Sequence, residues 1–271
     1  LGDEAATHNF DLLVSSAAPD TEAERQIYQR WVRGHNADGL VINHLRLHDW
    51  RVQYLSQVGF PFVALERSLD PLDYASVEVD GRRWFKLLID HLVSLGYRRI
   101  AYVGAASNLK IEADRFQGYQ DGLRSAGLPF NSDLVVRGDL TAEGGYRAAV
   151  CLLSLPEPPT AIACVDDMTA FGVLHAAHEN GRAVGQDLAV TGFDGILGFE
   201  HTQPPLTTID QPVYQIARRL ASMLIALIEG GKLEEKRVLI EPRLEIREST
   251  VGRLANRRVN EKAGEHVRQS L

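Results

Sequence analysis

Three carboxylates stand where an apolar, β-branched run gives way to a polar residue: Glu66 after Phe60–Leu65, Asp166 after Ala161–Val165, and Asp194 after Leu188–Phe193. Runs of this length and composition read as strands. In open parallel sheets, ligands bind outside the carboxyl ends of the strands. A carboxylate only accepts hydrogen bonds and has two oxygens to accept them, which suits the adjacent hydroxyls of a sugar. Arg115, at the start of a helical pattern, supplies the complementary donor fork, and Leu140, after Gly138-Asp139, is a candidate apolar wall. Each acid has a plainer reading as a cap on the helix that follows, a common use of Asp in strand-to-helix loops. Asp167, just before Met168-Thr169-Ala170, is read as such a cap.

Other chemistry finds no footing. The sequence has no G-x-S-x-G elbow, no G-x-x-x-x-G-K-[ST] phosphate loop, no G-x-G-x-x-G fingerprint and no H-E-x-x-H helix. His175, His178 and Glu179 lie at helical spacing without a third ligand at a telling distance, so a helix surface is expected rather than a metal site. Asp166 and Asp167 are neighbours at a strand end and point to opposite sides, which places them poorly to flank one bond. No catalytic residue, cofactor or metal is expected, and the chain is read as a non-enzyme. Trp84 reads as core on an amphipathic helix, and Cys151 and Cys164 as small core hydrophobes.

Positioning those side chains falls to an alternation of short strands and helices. The runs Phe10–Ser15, Gly39–Asn43, Phe60–Leu65, Ser76–Val79, Ile100–Gly104, Leu134–Val136, Ala161–Val165 and Leu188–Phe193 are too short for helices. Between most of them apolar residues recur with a 3.6-residue period, as in Trp84, Leu87, Leu88, His91, Leu92 and Leu95. Gly59, Gly96, Gly127 and Gly181 mark helix ends. The pattern predicts an α/β protein with parallel sheets covered by helices on both faces. Past residue 202 the rhythm changes. The stretch from Thr202 to Pro212 holds three prolines and reads as a turn-rich crossing segment, followed by a helix over Val213–Ile228 and an extended run over Arg237–Arg247 broken at Pro242.

The composition fits a packed protein. The 271 residues are 45% hydrophobic and 24% charged, which excludes a disordered, collagenous or disulfide-stapled chain. No apolar run reaches the roughly 18 to 20 residues of a membrane span. The net charge is -7; residues 251–271 carry +3, so the remainder carries -10 and argues against a broad nucleic-acid surface. Two cysteines cannot build a disulfide framework, and reduced thiols with no export signal fit a cytoplasmic protein. Residues 251–271 show neither period and are expected to form a flexible basic tail.

Taken together, five stretches in order resemble the effector-binding core of the LacI/GalR family of bacterial transcriptional regulators. They are His91–Gly104; Arg115-Phe116-Gln117-Gly118-Tyr119 with Ala126-Gly127-Leu128-Pro129; Asp166–Gly172 through Gly192-Phe193-Asp194; Pro204–Pro212; and Arg247-Glu248-Ser249-Thr250. The resemblance covers about residues 1 to 250. It implies two doubly wound, periplasmic-binding-protein-like lobes joined by three crossover segments, with a ligand cleft between them. The amino-terminal lobe would comprise 1–79 plus 211–241, and the carboxyl-terminal lobe 80–210 plus 242–250. Onto the family's effector site map Arg115, Asp194 and Asp166, the last where relatives often carry Asn; Glu66 falls where a shorter Asp is frequent. Ile111 and Leu140 fall at wall positions, and Gly195 replaces a common Asp or Asn.

The implied function is sensing of a small carbohydrate or related metabolite, coupled to DNA binding in a homodimer. Family members begin with a helix-turn-helix domain of about 50 to 60 residues, a hinge, and the first strand and helix of the amino-terminal lobe. None of these is in this sequence, where Leu1–Ala6 resembles the last turn of that helix. Operator DNA is therefore expected to be read only through a separate domain, and the absent strand to leave a sheet edge that needs covering. The alternative is a periplasmic sugar-binding protein of a transport system. It shares the fold, but Arg98-Arg99-Ile100 and Pro205-Leu206-Thr207-Thr208-Ile209 favour the regulator.

Overall fold

A computed structural model describes residues 1–15, 18, 19 and 21–252, and strand and helix alternate through it. In chain order the elements are α1 (Gly2–Thr7), α2 (Glu22–Arg33), β1 (Leu40–Ile42), α3 (Trp50–Val58), β2 (Phe62–Leu65), β3 (Ala75–Glu78), α4 (Gly81–Ser94), β4 (Ile100–Gly104) and α5 (Lys110–Ser125). There follow β5 (Val135–Arg137), α6 (Ala142–Leu153), β6 (Ala161–Cys164), α7 (Asp167–Glu179), β7 (Ala189–Asp194), β8 (Thr207–Asp210), α8 (Val213–Ile228), β9 (Arg237–Leu239) and β10 (Arg243–Glu245). They pack as two units: Leu1–Val79 with Asn108–Ile111 and Pro212–Glu241, and Asp80–Ser107 with Glu112–Gln211 and the described residues from Pro242. Among the described residues no helix is long and apolar enough to cross a membrane. The expected basic tail lies outside the described residues beyond Gly252.

In the first unit, β1, β2, β3 and β9 form one parallel sheet in that order. Leu40, Ile42, Phe62 and Ala64 turn one face toward Val52 and Leu55 of α3, with Tyr28, Trp31 and Val32 of α2 packed alongside. The other face is covered by α8, which buries Ile216, Leu220, Met223 and Ile225. The run Phe10–Ser15 is not the strand its composition predicts. It pairs with nothing in the sheet, and Leu12, Leu13 and Val14 are exposed. β-propensity expresses fit to a pleated, half-buried surface, and this run has none to fit.

The loop after β1 is held by buried charge. Asp49 caps α3 by accepting from the Arg51 backbone N–H at 2.9 Å, and its carboxylate takes a fork from the Arg51 guanidinium at 2.9 and 2.7 Å. Arg51 also donates to the carbonyls of Asn43 and His44, and Arg46 pairs with Glu24 at 3.0 Å. Burial acts to raise the Asp49 pKa, but the Arg51 contacts outweigh it and leave it below the usual carboxylate value. Asn108–Ile111 joins this unit through an antiparallel bridge between Leu109 and Arg46.

The second unit carries a six-stranded sheet in the order β10-β8-β7-β6-β4-β5. All neighbours are parallel except β10, which runs antiparallel to β8 at the edge. Strand β8 occupies part of the stretch expected to be a turn-rich crossing. Its prolines, Pro204, Pro205 and Pro212, all fall outside Thr207–Asp210, so no ladder donor is lost. One layer of the core is aromatic, with Tyr102 of β4 against Phe85 and Tyr119 and with Phe85 stacked on Phe193. The opposite layer is aliphatic, from Ala148, Ala149 and Leu152 of α6 and Val173, Ala176 and Ala177 of α7. Cys164 joins this layer, whereas Cys151 sits on the outer side of α6 and is exposed, contrary to the core reading. Trp84 is only half-buried, because Phe85, Leu88 and Leu92 take the inner face of α4.

Helices α6 and α7 touch backbone to backbone. A Cβ on Gly172 would lie 1.8 Å from the Ala142 carbonyl oxygen. Gly172→Ala is expected to force the helices apart and cost about 1 to 3 kcal/mol, seen as a lower urea midpoint; an unchanged midpoint would disprove the close approach. The chain's last described turn clasps the far side of the sheet. Ser249 Oγ accepts from the Thr207 N–H at 2.8 Å and donates to the Val190 carbonyl at 2.6 Å. Thr250 Oγ1 meets Thr207 Oγ1 at 2.9 Å and His91 Nε2 at 3.0 Å.

Candidate functional site

Strands β6, β7 and β8 end side by side, and the residues that follow them gather around one arginine. Arg115 lies on α5 with its side chain 8% exposed. Its Nη1 donates to the Val165 carbonyl at 2.6 Å and its Nη2 to Asp194 Oδ1 at 3.1 Å, while the guanidinium carbon rests 3.8 Å from the Phe193 ring centroid. A planar, permanently charged group over an aromatic face, hydrogen-bonded to a carbonyl and a carboxylate, is fixed in direction.

Asp194 closes β7 with φ 122, in the region L-residues rarely adopt. Three contacts hold it there: Arg115, Gln211 Nε2 on Oδ1 at 2.7 Å, and the Gln211 N–H on its carbonyl at 3.2 Å. Its side chain keeps 31% of its surface open. Burial pushes its carboxyl pKa up; the Arg115 charge opposes that, and the Asp166 charge adds to it. Gly195 follows at φ 72, and a Cβ there would meet Asp210 Oδ1 at 2.1 Å, so a side chain at this position would require Asp210 to move.

Of the two acids after β6 it is Asp166, not Asp167, that caps the following helix. Asp166, in extended conformation, caps α7 by accepting the Thr169 N–H at 2.8 Å. Asp167 is the first helical residue and is fully buried. Its Oδ1 accepts from Thr208 Oγ1 at 2.6 Å and its Oδ2 from the Ile196 N–H at 2.8 Å, and the Gly195 amide nearby acts in the same direction. An N-cap needs non-helical dihedrals and a partner two or three residues on, and the Asp166–Thr169 spacing meets this. Burial lifts the Asp167 pKa to about 7 against the pull of these donors.

The site residues expected from sequence thus divide. Arg115, Asp166 and Asp194 stand together in the second unit. Leu140 is half-buried at φ 61, between β5 and the Thr141 cap of α6. Glu66 and Ile111 belong to the first unit. Glu66, at φ 74 after β2, accepts the Val79 N–H on Oε1 at 3.1 Å, and Ile111 is half-buried in the segment bridged to Arg46. Sequence reasoning missed Gln211 and the inward turn of Asp167. Gln211 is the polar residue at the carboxyl end of β8, so the rule that found Asp194 would have found it once Thr207–Asp210 was read as a strand. It missed Glu112 too, buried on α5 with Tyr102 OH and the Ala105 N–H donating to it and Arg137 beside it. His175 and Glu179 form a surface pair on α7.

Known proteins share this architecture. The family profile described as periplasmic binding protein-like domain matches residues 89–250. The HTH-type transcriptional repressor CytR of Escherichia coli (strain K12) is 30% identical over 247 residues, covering 91% of this chain and 72% of CytR. A solved regulatory protein of the LacI family from Chloroflexus aggregans is 35% identical with a TM-score of 0.81, over 92% of this chain and 89% of that one. The solved complex of transcriptional regulator CelR with cellobiose is 28% identical with a TM-score of 0.83, over 92% of this chain and 76% of that one.

Proposed function

We propose that this chain, which belongs to the LacI/GalR family of transcriptional regulators and carries their periplasmic-binding-protein-like effector domain, binds a small carbohydrate through Arg115, Asp194 and Asp166. The observation that carries this reading is the oriented guanidinium beside a partly open carboxylate held at φ 122. Such a pair offers donors and acceptors in fixed directions, as vicinal hydroxyls require. Capping uses Asp166 Oδ1, and a carboxylate has lone pairs to spare beyond one amide. Glu66 and Ile111 of the first unit, and Leu140, are the further contacts the family pattern assigns. The CelR–cellobiose complex among the solved relatives supports a saccharide as the ligand class.

In this reading the chain binds its effector without turning it over. Binding acts on transcription in a homodimer, through a helix-turn-helix domain of the kind for which the relatives are named. The effector must then favour one conformation over another, a coupling typically worth about 1 to 3 kcal/mol. A panel of mono- and disaccharides, sugar acids and nucleosides tested by thermal shift should yield at least one that raises Tm. Arg115→Ala and Asp194→Ala are each expected to weaken binding of that compound by about 1 to 3 kcal/mol in calorimetry, since each strands a desolvated partner. No thermal shift with any compound, or unaltered affinity in both variants, would remove the site.

A further inference from the structure

The turn that presents Asp194 to the proposed effector is held from beneath by a side chain that no effector would touch. The Ile196 N–H, two residues past Asp194, donates to one oxygen of Asp167 at 2.8 Å with the Gly195 amide nearby, and the other oxygen takes the Thr208 hydroxyl from β8. Gly192 makes room for it: a Cβ there would lie 2.1 Å from Asp167 Oδ1. An ionised carboxylate answers these donors with acceptors alone. Once protonated, it becomes a donor at one oxygen and loses part of its hold on the amides.

We propose that Asp167 is the positioning residue for Asp194, and that only its ionised form holds the turn in the shape that binds effector. This rests on the effector reading above. The titratable and charged groups around it are Cys164 and Asp166 at the end of β6 and Asp194 on β7, which is paired with Arg115 of α5. Asp194 titrates beside it, so the two must be separated by substitution. A carboxyl pKa of about 7, set by burial, places the change within the ordinary working range of a regulator.

The test has two arms on the full chain. Without ligand, the Gly195 and Ile196 amide resonances are followed from pH 5.5 to 8.5. Both should move with a common midpoint near 7; the Ile196 movement should persist in Asp194→Asn and vanish in Asp167→Asn. Thr208→Val, which removes a donor to the carboxylate, should carry the midpoint upward. Amides that do not titrate, or that titrate unchanged in Asp167→Asn, overturn the proposal whatever the protein binds. In the second arm, affinity for the best saccharide of the panel should fall at least fivefold from pH 8 to pH 6. In Asp167→Asn it should be weak and flat over that range. A variant that keeps the parent's pH profile overturns the role of Asp167; failure of the parent to bind any saccharide overturns the effector reading, and the amide arm still decides whether Asp167 holds the turn.

Discussion

Between pH 4 and pH 7, Asp167→Asn should gain stability relative to the parent protein as the pH rises. Asp167 is raised from 3.8 to about 7 in the folded state, chiefly by burial. In that window the folded chain holds a proton that the unfolded chain has released, so this group's contribution is fully present below pH 4 and is lost as the pH climbs through 7. The slope approaches about 1.4 kcal/mol per pH unit, which accumulates to several kcal/mol across the window. Asn binds no proton there and has no such slope. The baseline of the variant is a separate matter, because its amide N–H₂ faces donors. Paired urea titrations at half-unit intervals give the difference directly, and a difference that stays flat with pH would rule out the raised carboxyl.

The second large effect belongs to the first unit. Asp49→Ala is expected to cost about 3 to 5 kcal/mol at pH 7, because breaking a buried ion pair leaves the partner charge without compensation. Asp49 is 0% exposed, and without it Arg51 would keep the carbonyls of Asn43 and His44, with Tyr28 and the more distant Glu24 nearby and no close carboxylate among the described residues. Loss of the α3 cap adds to the cost. Replacing both residues, as Asp49→Ala with Arg51→Met, should recover part of the loss, since no buried charge is then stranded. A denaturant midpoint in Asp49→Ala within error of the parent would mean that water reaches the pair. The lowered Asp49 pKa adds a pH signature: its stabilisation is present above the unfolded value near 4 and lost as the pH falls through the lower folded value.

How far the sequence speaks for itself is clearest at the strand ends. Ile100–Gly104 and Val213–Ile228 are found at the bounds their apolar periods set, because burial on both faces of a strand and along one stripe of a helix is written in the residue types. Local pattern fails where the deciding partner is remote. Phe10–Ser15 has strand composition and no ladder, while Thr207–Asp210 has prolines on both sides and lies between two strands that complete its ladder. The same limit applies to the site. Arg115, Asp166 and Asp194 could be picked out by position, but the assignment of cap and buried acid within Asp166-Asp167 depends on which side chain meets Gly192 and Thr208, and these are distant in the sequence. Gln211 was concealed by the misread strand in front of it.

The clasp formed by Ser249 and Thr250 bears on how this protein can be handled. One hydroxyl closes both a sheet amide and a sheet carbonyl, so cutting the polypeptide ahead of Arg247 would expose two main-chain groups at once and open a path for water under β8. Reporters or affinity handles attached after Gly252 leave that seal untouched, and limited proteolysis should therefore spare the segment through Thr250 for as long as the second unit stays folded.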